Sequence, residues 1–314
     1  MRVLVTGGAG FIGSHIVEHF QGRAQVRVLD NLRTGYMKNL EDFEVDFLKG
    51  SIMDRAIVEK AVQGVDYIFH CAAMISVPES MDKPVECVEV NTIGTLNVLE
   101  AAAKAGVKKL CLSTSAAIYG DNPVMPKRET MIPEPKSPYA ITKLSDEYYC
   151  NMFSQEGRLA TACLRYFNVF GPRQDPASQY AAAVPIFISK ALANDPITIF
   201  GDGEQTRDFI FVKDIVAANV YFATHPDFCG VHNVAYGGRI TINDLARKII
   251  ALTGSDSRIE HLPERPGDVK HSMAAIDKLA ATGFKPCSDF DNGLSKTIDF
   301  FQNKWASENE PTSA

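Results

Sequence analysis

Tyr139 and Lys143 stand four residues apart, just behind Ser137-Pro138, a serine able to cap a helix and a proline suited to its first turn. The spacing puts phenol and ammonium on one helical face. A phenol held beside a cation can act as a general base toward a hydroxyl group. Ser115 closes the run Leu110-Cys111-Leu112-Ser113-Thr114-Ser115, and ligand groups gather at the carboxyl ends of parallel strands. A Tyr-x-x-x-Lys pair alone is a common accident of an exposed helix, so its weight rests on what precedes it. Val3-Leu4-Val5 runs into Gly7, Gly10 and Gly13, with Phe11 and Ile12 between the last two, followed by a helical pattern. This is a variant of the dinucleotide fingerprint, in which glycines let backbone amides approach a pyrophosphate at a helix start. Val26-Arg27-Val28-Leu29 then ends in Asp30, about 20 residues on, where a carboxylate can take ribose hydroxyls and repel a 2′-phosphate. NAD is favoured over NADP, a preference that Arg33 nearby weakens slightly.

These groups need a parallel sheet to position them. Candidate strands are Arg2–Val5, Gln25–Leu29, Val45–Lys49, Tyr67–His70, Lys109–Ser113 and Thr161–Arg165, alternating with helical patterns such as Pro84–Ala105, which Gly106 ends. The expectation is an α/β chain: a Rossmann-type doubly wound parallel sheet over 1–168, with elements of about 208–235 returning to it. A smaller α/β substrate lobe would occupy 169–305, and 306–314 reads as a disordered polar tail.

Composition narrows the function. Hydrophobic residues are 46% and charged residues 22%, an ordinary globular balance, and the net charge of -6 argues against broad binding to nucleic acid or acidic membrane. No apolar stretch reaches membrane-spanning length. The seven cysteines (Cys71, Cys87, Cys111, Cys150, Cys163, Cys229, Cys287) form no CxxC pair, which argues against a disulfide framework or a zinc site and for buried thiols in a reducing cytoplasm. No metal site is expected.

The order of these motifs resembles the extended short-chain dehydrogenase/reductase family over essentially Met1–Trp305, and within it the nucleotide-sugar 4-epimerases. Further segments carry the resemblance: Thr6–Gly13, Asp30-Asn31-Leu32, His70-Cys71-Ala72-Ala73, Asn91–Thr95, Ser115–Gly120, Arg165–Pro172, Gly201-Asp202-Gly203, Arg207-Asp208 and Arg265–Asp268. The resemblance implies tightly bound NAD, held by Gly7, Gly10, Phe11, Ile12, Gly13, Asp30, Asn31, Ser51, Ile52, Ala72, Ala73, Asn91, Ser113, Tyr139, Lys143 and Tyr166. It implies Tyr139 as the base, Lys143 as its partner and the holder of the nicotinamide ribose, and Ser115 as a hydrogen-bond donor to the reacting oxygen. Phe167 would flank the nicotinamide with Tyr166. Asn168, Arg207 and Arg265 would meet the diphosphate of a UDP-sugar, with Ala182, Val184, Asp268 and Ser272 completing the substrate site. It also implies a homodimer built on Pro84–Ala105 and Tyr139–Gln155, with Tyr148, Met152 and Phe153 as apolar candidates. Ser51 departs from the family, which usually carries aspartate there; Cys71 and Ile75 differ as well.

Three competing readings are a 4,6-dehydratase or decarboxylase, an NAD(P)-linked reductase, and a cofactor-binding scaffold without chemistry. The first needs an extra acid or base just after the serine run, where this chain has Ala116-Ala117. Asp30 disfavours an NADPH-linked reductase, and the third usually loses the tyrosine or lysine. In the resembled epimerases a bulky residue at the position of Ser272 restricts the sugar pocket. Ser272 and Ala182 therefore predict room for an N-acetyl group, with UDP-N-acetylglucosamine and UDP-glucose both accepted.

Overall fold

The computed structural model describes residues 1–176, 182–264 and 270–309. Among these, seven strands form one parallel sheet: β1 (Arg2–Thr6), β2 (Gln25–Asp30), β3 (Asp46–Lys49), β4 (Tyr67–His70), β5 (Lys109–Ser115), β6 (Ala160–Tyr166) and β11 (Gly230–Val234). Their order, β11-β6-β5-β4-β1-β2-β3, is that of a Rossmann fold with its strand order reversing beside β1. Apolar runs such as Val3-Leu4-Val5 and Leu110-Cys111-Leu112 are fully buried, as strands covered on both faces must be. Four strands run further than the sequence suggested: β1 reaches Thr6, β2 Asp30, β5 Ser115 and β6 Tyr166, so Asp30, Ser115 and Tyr166 lie in strands at the sheet's carboxyl edge.

The connecting helices are α1 (Phe11–Phe20), α2 (Arg55–Ala61), α3 (Val77–Asp82), α4 (Pro84–Val88), α5 (Gly94–Ala105) and α6 (Pro138–Gln155). The single helix expected over Pro84–Ala105 is instead α4, a π-helical turn over Glu89–Ile93, and α5. The wide turn carries Asn91 inward, where its amide accepts from Met74 N (2.7 Å) and donates to Met74 O (3.0 Å) and Thr142 Oγ1 (2.9 Å). Gly106 ends α5 at φ +70°, the left-handed cap that glycine takes without strain. Val98, Leu99, Cys150 and Phe153 from α5 and α6 join Leu4, Ile68 and Leu110 of the sheet in one core.

The chain divides into two compact units. The first comprises Met1–Tyr166, Ile215–Val234 and Ala275–Lys285; the second comprises Phe167–Asp214, Ala235–Ala274 and Pro286–Ala314. In the second, β7 (Asn168–Phe170) pairs in parallel with β10 (Phe209–Phe211), β8 (Ile197–Phe200) with β13 (Ile259–Leu262), and β9 (Thr206–Arg207) antiparallel with β12 (Ile240–Thr241). α7 (Ala183–Leu192), α9 (Ile242–Thr253) and α11 (Phe290–Asn309) accompany these ribbons. Phe170, Phe209, Phe211 and Phe290 pack ring to ring inside this unit. α8 (Val212–Thr224) and α10 (Asp277–Ala281) complete the described helices. Because α11 runs to Asn309, residues 306–309 are helical rather than part of a disordered tail. Residues 310–314 lie outside the described residues.

Among the described residues no helix is long and apolar enough to cross a membrane. All seven cysteines are free; Cys87, Cys111, Cys150 and Cys163 are buried, whereas Cys229 and Cys287 are exposed and Cys71 is half-buried. The expectation of buried thiols thus holds for four of them.

Candidate active site

The dinucleotide turn is built from backbone. Gly7 N donates to Leu29 O (2.8 Å) and Gly10 N to Gly7 O (3.1 Å), folding the chain back over the end of β1. Gly7 sits at φ +69°, and a Cβ there would lie 2.7 Å from Ala72 N; a Cβ at Gly13 would lie 2.2 Å from Gly7 O. Only glycine fits either position. Gly10 caps α1 with no side-chain hydrogen bond and no acidic residue follows in its first turn, so the amides of Phe11 and Ile12 open a positive helix end. Asp30 receives Ala9 N on Oδ2 (2.9 Å) and Leu32 N on Oδ1 (2.8 Å), and each oxygen keeps a further lone pair for a ribose hydroxyl. Asn31 Oδ1 accepts from Arg33 N (3.0 Å). Such a cradle fits the pyrophosphate and adenosine ribose of NAD.

Around it, Ala72 and Ala73 are half-buried, and Ala72 N donates to Thr6 Oγ1 (3.3 Å). Thr6 Oγ1 is hydrogen-bonded to His70 Nδ1 (2.7 Å), whose other ring nitrogen meets Thr95 Oγ1 (3.0 Å). Burial pushes the His70 pKa down to about 3, so a neutral imidazole ties β1, β4 and α5 together under the Ala72 loop. Two further residues expected at the cofactor lie on the turn after β3. Ser51 Oγ accepts from Met53 N (3.2 Å), closing a turn, and Ile52 is buried against Gly94. Asn91 is fully buried with its amide held by Met74 and Thr142, so it braces the loop after β4 rather than reaching an open surface.

The proton-handling groups lie on β5 and α6. Ser137 Oγ caps α6 by accepting from Ala140 N (3.2 Å), with Pro138 in the first turn. Tyr139 is half-buried and its amide donates to Ser80 Oγ (3.2 Å). One turn later Lys143 is buried, and its Nζ donates to Ser113 O on β5 (3.0 Å). Ser115 Oγ accepts from Ala117 N (3.1 Å), which leaves its own proton available to donate. Ser113 Oγ bonds Tyr166 OH (3.2 Å), and Asn219 Nδ2 donates to the same phenol (2.7 Å). Burial raises the Tyr166 pKa strongly, which keeps that phenol neutral. Cys71 Sγ accepts from Ser113 Oγ (3.3 Å), and burial pushes its pKa up to about 11, an unreactive thiol.

In the second unit, Asn168 donates from N (3.1 Å) and from Nδ2 (3.2 Å) to Asp208 O. Arg207 on β9 is half-buried and its Nη1 reaches Thr206 O (3.1 Å) and Lys270 O (3.4 Å). Ser272 N donates to Thr206 O (3.0 Å), which brings Ser272 alongside Arg207. Ala182 is exposed as the cap of α7, whereas the Val184 side chain is fully buried in that helix's packing, so only its backbone could meet a ligand. Arg265 and Asp268 lie outside the described residues.

Several positioning residues escaped the sequence reading. Glu147, one turn beyond Lys143, accepts from Arg165 Nε (2.9 Å) and Nη2 (2.7 Å) and from Thr114 Oγ1 (2.9 Å). Arg165 Nη1 donates to Tyr119 OH (2.8 Å), which donates to Asn233 Oδ1 (2.6 Å). Both charges are buried, and together they lock α6 to β5 and β6 beneath Ser113 and Ser115. Asp208 accepts from Tyr236 N (3.2 Å), Gly237 N (3.1 Å) and Ala274 N (3.0 Å), fixing the loops beside Arg207; burial pushes its pKa up to about 6. The signal available was a charged residue inside an apolar strand or helix pattern, such as Arg165 within Ala162–Tyr166, since a charge there is retained only when paired.

Comparison with known proteins agrees with this architecture. A UDP-N-acetylglucosamine 4-epimerase of Methanobrevibacter ruminantium, solved with UDP-N-acetylmuramic acid, is 44% identical with a TM-score of 0.93, over 96% of this chain and 98% of that one. The UDP-glucose 4-epimerase of Mycolicibacterium smegmatis is 37% identical over 97% of this chain and 99% of its own length. A UDP-N-acetyl-alpha-D-glucosaminuronate decarboxylase of Bacillus cytotoxicus is 32% identical over 96% and 98%. The model of the NAD dependent epimerase/dehydratase family matches residues 3–235. With the glycine turn, the acidic end of β2 and the Tyr139–Lys143 pair all in place, the chain belongs to the NAD dependent epimerase/dehydratase family.

Proposed function

We propose that the chain is a UDP-sugar 4-epimerase that accepts both N-acetylated and unsubstituted hexoses. The observation that carries this reading is the end of β5. Ser115, Tyr139 and Lys143 offer one hydroxyl donor, one phenol and one cation, while the next two residues, Ala116 and Ala117, can move no proton. Dehydration and decarboxylation in this family need a further acid or base there, whereas moving hydride off and back onto one carbon does not.

In this reading Lys143, fixed by Ser113 O, stabilises the deprotonated phenol of Tyr139 electrostatically. Tyr139 takes the proton of the C4 hydroxyl and Ser115 donates a hydrogen bond to the same oxygen. The glycine turn and Asp30 would hold NAD, which would supply the hydride acceptor for C4 and the donor for its return. Between the two transfers the 4-keto sugar turns over about its diphosphate, which Asn168, Arg207 and Arg265 anchor, and Tyr139 gives its proton back. A guanidinium suits that anchor because its fork can meet two phosphate oxygens at once. Small side chains at Ser272 and Ala182 support acceptance of an acetamido group.

The same reading includes a homodimer. Val85, Val88, Ile141, Tyr148 and Met152 on α4 and α6 are exposed apolar side chains, an area a two-fold partner would cover. Phe153, considered for that face, is instead buried in the core because it lies on the sheet side of α6. The deciding experiment supplies UDP-glucose, UDP-N-acetylglucosamine and their glucuronate counterparts and identifies the products. C4 epimers from both hexoses are expected; loss of carbon dioxide or of the C6 hydroxyl would overturn the reading.

A further inference from the structure

Arg33, three residues past the end of β2, is held by two carboxylates of the segment after β4. Its Nη2 donates to Glu79 Oε1 (2.7 Å) on α3 and its Nη1 to Glu86 Oε1 (2.6 Å) on α4. β2 and the segment after β4 flank β1, so the guanidinium is drawn from one neighbour of the glycine turn across to the other. The loop that launches it is built for this. Asp30 Oδ1 holds Leu32 N, Asn31 Oδ1 holds Arg33 N, and Leu32 takes φ +61°, a conformation costly for a branched side chain. Lys83 joins the cluster, with Nζ 3.4 Å from Glu79 Oε1 and 3.9 Å from Glu86 Oε2.

We propose that Glu79 and Glu86 set the cofactor preference of this chain by withholding Arg33 from the ribose 2′ position. In dinucleotide folds an acidic residue at the end of β2 selects the 2′-hydroxyl, and an arginine nearby accommodates a 2′-phosphate. This chain carries both kinds of residue within four positions, Asp30 and Arg33, a mixed signal in sequence. The ion pairs resolve it. Each guanidinium edge already faces a carboxylate, so Arg33 offers no open fork to a phosphate, and the two glutamates add negative charge that a 2′-phosphate would meet. Asp30, filled from one side by Ala9 and Leu32, remains the group presented to the ribose. The discrimination is therefore shared among Asp30, Glu79 and Glu86.

The test reads the nucleotide that copurifies with the protein, not its activity. Protein purified from cells is denatured and the released NAD and NADP, oxidised plus reduced, are quantified per chain. Wild-type protein is expected to release NAD with NADP near background. In the double variant Glu79→Gln/Glu86→Gln the NADP share should rise by about tenfold, the scale of one charge-assisted hydrogen bond to a phosphate. Adding Arg33→Ser to that variant should return the share to the wild-type value. An unchanged NADP share in a double variant that still carries nucleotide would overturn the proposal. So would a rise that persists without Arg33, or loss of all nucleotide from the double variant, since the glutamates would then be holding the site itself. Failure of the 4-epimerase reading would leave this readout untouched, because any NAD-linked chemistry on the same fold loads the same cofactor.

Discussion

Lys143 and Arg207 are both cations with a polar task, yet the chain holds them in different ways. Lys143 sits on an 18-residue helix, 4% exposed, with its ammonium on a strand carbonyl and the buried Glu147–Arg165 pair one turn below it. Arg207 sits on a two-residue strand of a small ribbon, half-buried, with its guanidinium over the carbonyls of Thr206 and Lys270. The first arrangement cannot shift without breaking buried charge pairs. The second is carried by short elements that can be altered without unmaking the parallel sheet. The proposed chemistry is placed where the fold is stiff, and the proposed choice of sugar where it is cheap to change.

That contrast can be broken from the stiff side first. Tyr139→Phe removes the proton acceptor but keeps the ring, so turnover should fall by about 10²–10⁴-fold with the melting temperature little changed. Near-normal turnover would take Tyr139 out of the mechanism. Glu147→Gln leaves Arg165 buried without its counter-charge and should cost about 3–5 kcal/mol in a urea denaturation experiment. A loss under ~1 kcal/mol, the scale of an exposed pair, would show that the pair does not brace α6.

Asp146, next to Glu147, sharpens the comparison. It too is fully buried, but neither oxygen makes a hydrogen bond of good geometry. Burial pushes its pKa from 3.8 up to about 7, more than Lys143 and Thr92 lower it. Between those values the folded chain binds a proton that the unfolded chain has released, so this carboxyl subtracts stability as pH rises from 3.8 to about 7 and by a constant amount above. Asp146→Asn should therefore melt like the wild type near pH 4 and be more stable at pH 8, by on the order of 4 kcal/mol. Equal melting at both pH values would contradict the assignment. The smallest effect belongs to the second unit. Ser272→Tyr should penalise the N-acetylated sugar by about 1–3 kcal/mol in kcat/KM and largely spare UDP-glucose; equal loss on both would remove Ser272 as a size gate.

The glycine turn, the acidic end of β2 and the Tyr139–Lys143 pair were legible because each depends on local geometry: a left-handed glycine, a strand end, one helical turn. What was not legible depends on distant partners. Nothing near Asn91 announced that Met74 and Thr142 would occupy its amide and widen the helix into a π turn. Arg33 read as a residue that weakens NAD preference because Glu79 and Glu86 lie 46 and 53 positions away. Val184 read as part of the substrate site, and the packing of α7 buries its side chain, which leaves only its backbone to a ligand. Sequence spacing shows which groups share a face, but a tertiary partner decides whether a group is open.

In a 4-epimerase, hydride leaves and returns to the same carbon of the UDP-sugar. UDP-N-acetylglucosamine carrying deuterium at C4 tests it directly, with the product analysed by NMR and mass spectrometry. The expected product is UDP-N-acetylgalactosamine that retains the deuterium at C4, with no reduced cofactor accumulating in solution. Washout of the label into solvent, its migration to C6, or a deoxy or decarboxylated product would contradict it.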